Sequence, residues 1–121
     1  MIIYSQNPPS LSRSDKFIKT TCLYSGFEEG LNNPEKEDIK NIGPIPKGLY
    51  LIERWVARYP GKGPVVAILA PIGHDCHGRS GFLIHGDNQK MNHTASHGCI
   101  VTDLKTRQFL RDLEDIYLKV I

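Results

Sequence analysis

The stretch Gly81–Thr102, GFLIHGDNQKMNHTASHGCIVT, constrains this chain more than any other. Two short apolar runs, Phe82-Leu83-Ile84 and Ile100-Val101, flank a polar loop. His85 stands where the first run stops, and Cys99 where the second begins. A nucleophile candidate and a base candidate are thus held at the ends of two stiff elements facing a shared loop. A cysteine attacks as its thiolate, yet a free thiol is mostly protonated at neutral pH. A nearby imidazole takes that proton and holds an ion pair, readying the sulfur for a carbonyl. In Ser96-His97-Gly98-Cys99, Gly98 permits a tight turn just before the sulfur. Such a turn aims backbone N–H groups at one point, as an oxyanion hole requires.

The rest of the chain supplies the frame. Its 121 residues suffice for one domain, 1–121, with a single core. Ile2–Ser5 and Leu11–Arg13 read as short strands separated by the turn Asn7-Pro8-Pro9-Ser10. Phe17–Tyr24 is rich in β-branched and aromatic residues and reads as one strand. Ser25–Ile45 is long and irregular, and a loop of that length in a compact domain is often functional. Within it Asn33 suits an N-cap and Pro34 a first helical residue. Gly48–Val56 and the continuous apolar run Val65–Ala70 read as strands joined through Tyr59–Pro64. Pro71–Ser80 is a loop, and Gly81–His85 a further strand. Thr102 or Asp103 caps a helix starting near Leu104, with Phe109, Leu110 and Leu113 on its apolar face and Arg107 elsewhere. Ile116–Ile121 alternates like a closing strand. The expected fold is mainly β with one main helix.

Charge and composition exclude several partners. The net charge is +2 with mixed signs and no long basic block, so nucleic acid is not expected. No apolar run reaches the length of a membrane span. MIIYSQNPPS lacks the basic and apolar segments of a secretory signal. The three cysteines are an odd number, so at least one is free, and Cys99 as nucleophile is that one. Cys22 and Cys76 either pair in an oxidising compartment or are buried thiols, the latter being common. His74-Asp75-Cys76-His77 offers zinc-ligand types. Adjacent residues of one short loop rarely close a tetrahedral site, so neither metal nor cofactor is expected. His93 and His97 read as loop residues rather than ligands.

The pattern His85-Gly86 followed by Ser96-His97-Gly98-Cys99-Ile100 resembles the catalytic motif of L,D-transpeptidases. Further blocks sharpen the resemblance: Tyr4-Ser5-Gln6, Tyr24-Ser25-Gly26, Asn32-Asn33-Pro34, Asn41–Gly48, Pro71–His74, Gly78-Arg79-Ser80 and Phe82–Asn88. Together, from near residue 1 to about residue 102, they are similar to the small L,D-transpeptidase-like effectors of the bacterial type VI secretion system. Val101 stands where housekeeping L,D-transpeptidases usually carry arginine or asparagine, which places the chain with the effectors. The loop between His85 and Cys99 is slightly longer than theirs around Lys90–His93.

The resemblance implies an L,D-transpeptidase-like β-sandwich or barrel without a cofactor. It implies a toxin delivered into the periplasm of a competing Gram-negative cell without a signal peptide. There it acts on peptidoglycan stem peptides, removing the terminal D-Ala of tetrapeptides as an L,D-carboxypeptidase or exchanging it for another D-amino acid as a transpeptidase. Its implied partners are the secretion components and a cognate immunity protein. On this reading Cys99 is the nucleophile and His85 the general base. Ser96, His97, Gly98 and Gly86 supply the oxyanion hole and its support. Asp87 is preferred for orienting His85, with Gly86 and Asn88 as alternatives. Asn88, Arg79 and Tyr24 are the expected substrate contacts, with Arg79 suited to a carboxylate. Two rivals remain. A different cysteine peptidase of the cell wall usually has its cysteine before its histidine, the reverse of this order. A non-catalytic peptidoglycan-binding module needs no free thiol.

Overall fold

The computed structural model describes residues 1–88, 90 and 95–121. In chain order its strands are β1 (Ile2–Gln6), β2 (Pro9–Arg13), β3 (Lys16–Ile18), β4 (Leu23–Ser25), β5 (Gly48–Tyr59), β6 (Gly63–Ile72), β7 (Leu83–His85), β8 (Ile100–Thr102) and β9 (Tyr117–Val120). One α-helix, α1 (Leu104–Leu113), lies between β8 and β9. The strands form one open nine-stranded sheet in the order β3-β2-β1-β9-β5-β6-β7-β8-β4. The mainly-β expectation with a single main helix therefore holds among the described residues. None of the helices is long and apolar enough to cross a membrane.

The β5–β6 hairpin is the spine of this sheet, and a bulge in it sorts side chains between two faces. Register shifts between Ile52 and Arg54. An extra residue reverses the inward-outward alternation beyond it. Tyr50 and Ile52 therefore point into the main core, whereas Val56, farther along, packs on the opposite face. Along β6 the alternation is regular. Ala67 and Leu69 join the main core with Ile84 and Ile100. Val66 and Ile68 join Leu83 and Cys99 on the second face. A strand buried on both faces explains why Val65–Ala70 reads as unbroken apolar sequence.

Local signals elsewhere find their elements. The Asn33 side chain accepts from the Glu35 N–H and caps the 3-10 turn Pro34–Lys36. Asp103, not Thr102, caps α1 by accepting from the Thr106 N–H. Glu114 adopts the left-handed conformation where the helix ends. In β9, Leu118 and Val120 are buried and alternate with exposed Tyr117 and Lys119.

Two expectations are corrected. Phe17–Tyr24 is not one strand: its ends lie in β3 and β4, at opposite ends of the sheet order. The residues between them are captured by the helix start. Thr106 Oγ1 donates to the Lys19 carbonyl, and the Thr21 N–H donates to Asp103. On α1, Phe109 is 49% exposed, while Thr106, Arg107 and Leu110 are buried. The buried face is therefore rotated toward Arg107, whose guanidinium bonds the Val65, Pro64 and Thr102 carbonyls. The longer-loop reading around Lys90–His93, and His93 with it, falls on residues of which only Lys90 is described.

Candidate active site

β7 and β8 run parallel, with Ile84 opposite Ile100 and His85 opposite Val101. Cys99, one residue before Ile100, thus stands level with Leu83, against which it packs. Side chains alternate along a strand, so His85, two residues beyond Leu83, shares the sheet face used by Cys99. The two are diagonal neighbours within side-chain reach. Adjacent parallel strands hold the pair in register, which no loop of this length does alone.

His85 is 1% exposed. Its Nδ1 lies 2.7 Å from the Gly86 carbonyl oxygen. A carbonyl only accepts, so Nδ1 carries the proton and Nε2 presents its lone pair. Nε2 is buried without a hydrogen-bond partner among the described residues. Burial pushes the imidazolium pKa down to about 4, with Lys62 and Arg107 adding to the depression. Burial likewise pushes the Cys99 thiol above its ordinary value. The resting pair is a neutral thiol and a neutral imidazole, not the ion pair expected from sequence, because the buried site disfavours both charges. The Cys99 thiol donates to the Gly81 carbonyl at 3.6 Å.

The turn ahead of Cys99 is fastened by hydroxyls. Ser96 Oγ donates to the Cys99 carbonyl at 2.7 Å and accepts from the Gly26 and Gly98 N–H groups. Ser25 Oγ donates to the same carbonyl at 2.8 Å and accepts from the Ile45 N–H. Ser25 escaped the sequence reading as a site residue, although it lies in the Tyr24-Ser25-Gly26 block. Gly98 has φ +122°, and a Cβ there would stand 2.1 Å from Arg79 Nη2. Only glycine fits both demands. His97 is exposed, with Nδ1 3.2 Å from the Asn41 carbonyl and its ring tilted against Phe27. The irregular Ser25–Ile45 stretch is therefore the cradle of the Cys99 turn.

Three expected roles change. Asp87 does not touch the His85 ring nitrogens by any described hydrogen bond; Gly86 takes that place through its backbone. Asp87 instead accepts from Tyr24 Oη at 2.7 Å and from the Asn88 N–H at 2.9 Å. Tyr24 is fully buried and also accepts from the Ala95 N–H, bracing the loop from below instead of meeting substrate. Arg79 is 8% exposed. Its guanidinium donates to the carbonyls of Glu37, Pro44, Gly43 and His97, which leaves it a buried strut. Asn88 does line the open cleft beside His85, and its Oδ1 accepts from the Lys90 N–H. That cleft has a volume of about 560 Å³.

The other cysteines are free thiols. Cys22 lies 4.0 Å from Asp87 Oδ2, and burial pushes its pKa up to about 11. Cys76 is buried near Tyr50 Oη and His74 Nδ1. His74 Nε2 bonds the Leu49 carbonyl, and His77 pairs with Glu37. Among the described residues no three His, Cys, Asp or Glu side chains group as a metal site.

Comparison with known proteins agrees with this arrangement. The family model of the Tlde1 domain matches residues 19–119. No curated protein matches the chain. Among solved structures, Bdellovibrio bacteriovorus Bd1075 is similar with TM-score 0.62 at 16% identity, over 100% of this chain and 47% of that one. Mycobacterium tuberculosis L,D-transpeptidase 1 gives 0.57 at 14%, over 99% and 60%. An L,D-transpeptidase from Mycobacterium smegmatis gives 0.58 at 11%, over 99% and 57%. The chain thus spans about half the length of these structures and shares their fold. With the match covering most of its length, the chain belongs to the Tlde1-domain family of type VI secretion effectors and has an L,D-transpeptidase-like fold.

Proposed function

We propose that this chain is a cysteine-dependent L,D-carboxypeptidase and L,D-transpeptidase acting on peptidoglycan stem tetrapeptides. One observation carries the reading: a buried histidine with Nδ1 committed to Gly86 and Nε2 unpartnered shares a sheet face with a free cysteine. Such an imidazole is a ready proton acceptor. The family and the fold supply the substrate class.

Cys99 Sγ attacks the carbonyl joining the stem's diamino acid to its terminal D-Ala. The thiol proton passes to His85 Nε2 as the C–S bond forms. The Gly98 N–H is already bonded to Ser96, which leaves the His97 and Cys99 N–H groups to meet the oxyanion. A donor in such a place contributes about 3 kcal/mol. The C–N bond then breaks, and the imidazolium returns the proton to the departing amine. Water or a D-amino acid attacks the thioester, gives its proton to His85 and releases the thiol. Water yields the tripeptide and a D-amino acid yields the exchange product. Domain 1–121 performs this chemistry in the periplasm of a target cell, with a cognate immunity protein protecting the producer.

The test is incubation of the protein with tetrapeptide muropeptides, with and without a D-amino acid, followed by mass analysis. Loss or replacement of one D-Ala by the wild type, and not by Cys99→Ala, is expected. Unchanged peptides with folded protein would overturn the reading in favour of a binding module.

A further inference from the structure

The cleft beside His85 is open to a substrate, and its lining carries two basic side chains, Lys62 and Arg107. Arg107 is committed: all three of its guanidinium nitrogens donate to backbone carbonyls. Arg79, on the far side of the Cys99 turn, is committed in the same way. The acid in the lining, Asp87, is occupied by Tyr24 and the Asn88 N–H. Lys62 differs. Among the described residues no hydrogen bond or ion pair holds its ammonium.

Its position is built by the hairpin. β5 ends at Tyr59 and β6 starts at Gly63, and the Lys62 N–H closes the turn on the Tyr59 carbonyl at 3.0 Å. Gly61 and Gly63 flank it at φ +75° and +88°, a reversal that L-residues resist. The turn sets a partly buried lysine at the cleft wall. Its charge is felt by both reacting groups, lowering the pKa of His85 and of Cys99.

We propose that Lys62 forms a carboxylate subsite, binding the free α-carboxylate of the residue that is removed or exchanged. The inference rests on the proposed carboxypeptidase reading and deepens it. A carboxypeptidase must tell the last peptide bond from interior ones, and the difference is one anionic carboxylate beside the scissile amide. A cation left without an internal partner at the cleft wall supplies that discrimination. A D-amino acid acceptor carries the same carboxylate and enters the same subsite for exchange. The strut role of Arg79 removes the guanidinium that the sequence offered for this task.

Two substrates test it: a stem tetrapeptide with a free terminal carboxylate and the same peptide as its carboxamide. The wild type is expected to favour the carboxylate in kcat/KM by tenfold or more, mainly through KM. In Lys62→Ala that preference should collapse toward unity, and Lys62→Arg should restore most of it. Binding of both peptides to Cys99→Ala, with and without Lys62→Ala, reads the subsite without turnover. A wild-type preference that survives in Lys62→Ala overturns the subsite while leaving the enzyme reading intact. Absence of turnover by the wild type, with carboxylate-selective binding lost in Lys62→Ala, overturns the enzyme reading and keeps the subsite. Equal binding of both peptides to Cys99→Ala overturns the subsite.

Discussion

His85 Nδ1 donates to the carbonyl of its neighbour Gly86 at 2.7 Å, and this bond decides which ring nitrogen serves chemistry. A backbone acceptor orients the ring without bringing a carboxylate into a buried site. With no carboxylate bonded to it, nothing offsets burial strongly enough to keep the imidazolium, so the base rests neutral.

The first consequence is a pH profile. His85 titrates near 4, well below the ordinary histidine value near 6.5. The acid limb of kcat/KM is expected close to pH 4 to 5, and a limb near 6.5 would contradict the buried neutral base. Stability follows with a defined sign. The unfolded chain takes up the His85 proton first, so native stability falls as pH drops from about 6.5 toward 4. His77, raised by its bond to Glu37, works in the opposite sense. Denaturant midpoints of wild type and His85→Gln across that window isolate the His85 share, which should vanish in the variant.

Ser25 and Ser96 share one acceptor, the Cys99 carbonyl. Ser25→Ala also strips the Ile45 N–H of its partner, and Ser96→Ala those of Gly26 and Gly98. Each change is expected to cost about 1–3 kcal/mol. The double variant should be non-additive because the two hydroxyls act on one atom. Urea unfolding of the four-protein cycle measures this.

Arg79→Met should destabilise more than either serine change, by roughly 3 kcal/mol or more, because several buried carbonyls lose a charged donor together. Arg79→Lys should recover only part of it, since an ammonium lacks the planar fork. The unfolding midpoint, not KM alone, is the expected readout. A stable Arg79→Met protein with a raised KM would return Arg79 to the substrate.

Tyr24→Phe removes the hydroxyl bonded to Asp87 and to the Ala95 N–H. The loop that carries both ends of the cleft loses its brace, at a cost of about 1–2 kcal/mol. The acid limb of the rate profile should stay near that of the wild type, because Gly86 still orients His85. Asp87→Asn should behave similarly. A large shift of that limb in Asp87→Asn would show Asp87 acting on the ring.

Much of the fold was legible because its signals are local. Cap chemistry at Asn33 and Asp103, alternation at Leu118 and Val120, and the apolar run of β6 each act within a few residues. Reading failed where a distant partner overruled local propensity. The β-branched stretch Phe17–Tyr24 breaks because Asp103 and Thr106 bind its middle. The α1 face turned toward Arg107 because Val65, Pro64 and Thr102 offer carbonyls that no periodicity records.

The sequence by itself determined the nucleophile and base candidates, their order, and the strand ends that carry them. Those follow from residue type and spacing, which belong to the chain before it folds. Tertiary structure alone decided the rest: that His85 and Cys99 share one sheet face, that Gly86 rather than Asp87 holds the ring, and that Arg79 is consumed while Lys62 is not. Protonation state and partner choice depend on burial and on which lone pair meets which donor across the fold. Both exist only once β7, β8 and the 25–45 stretch have packed together.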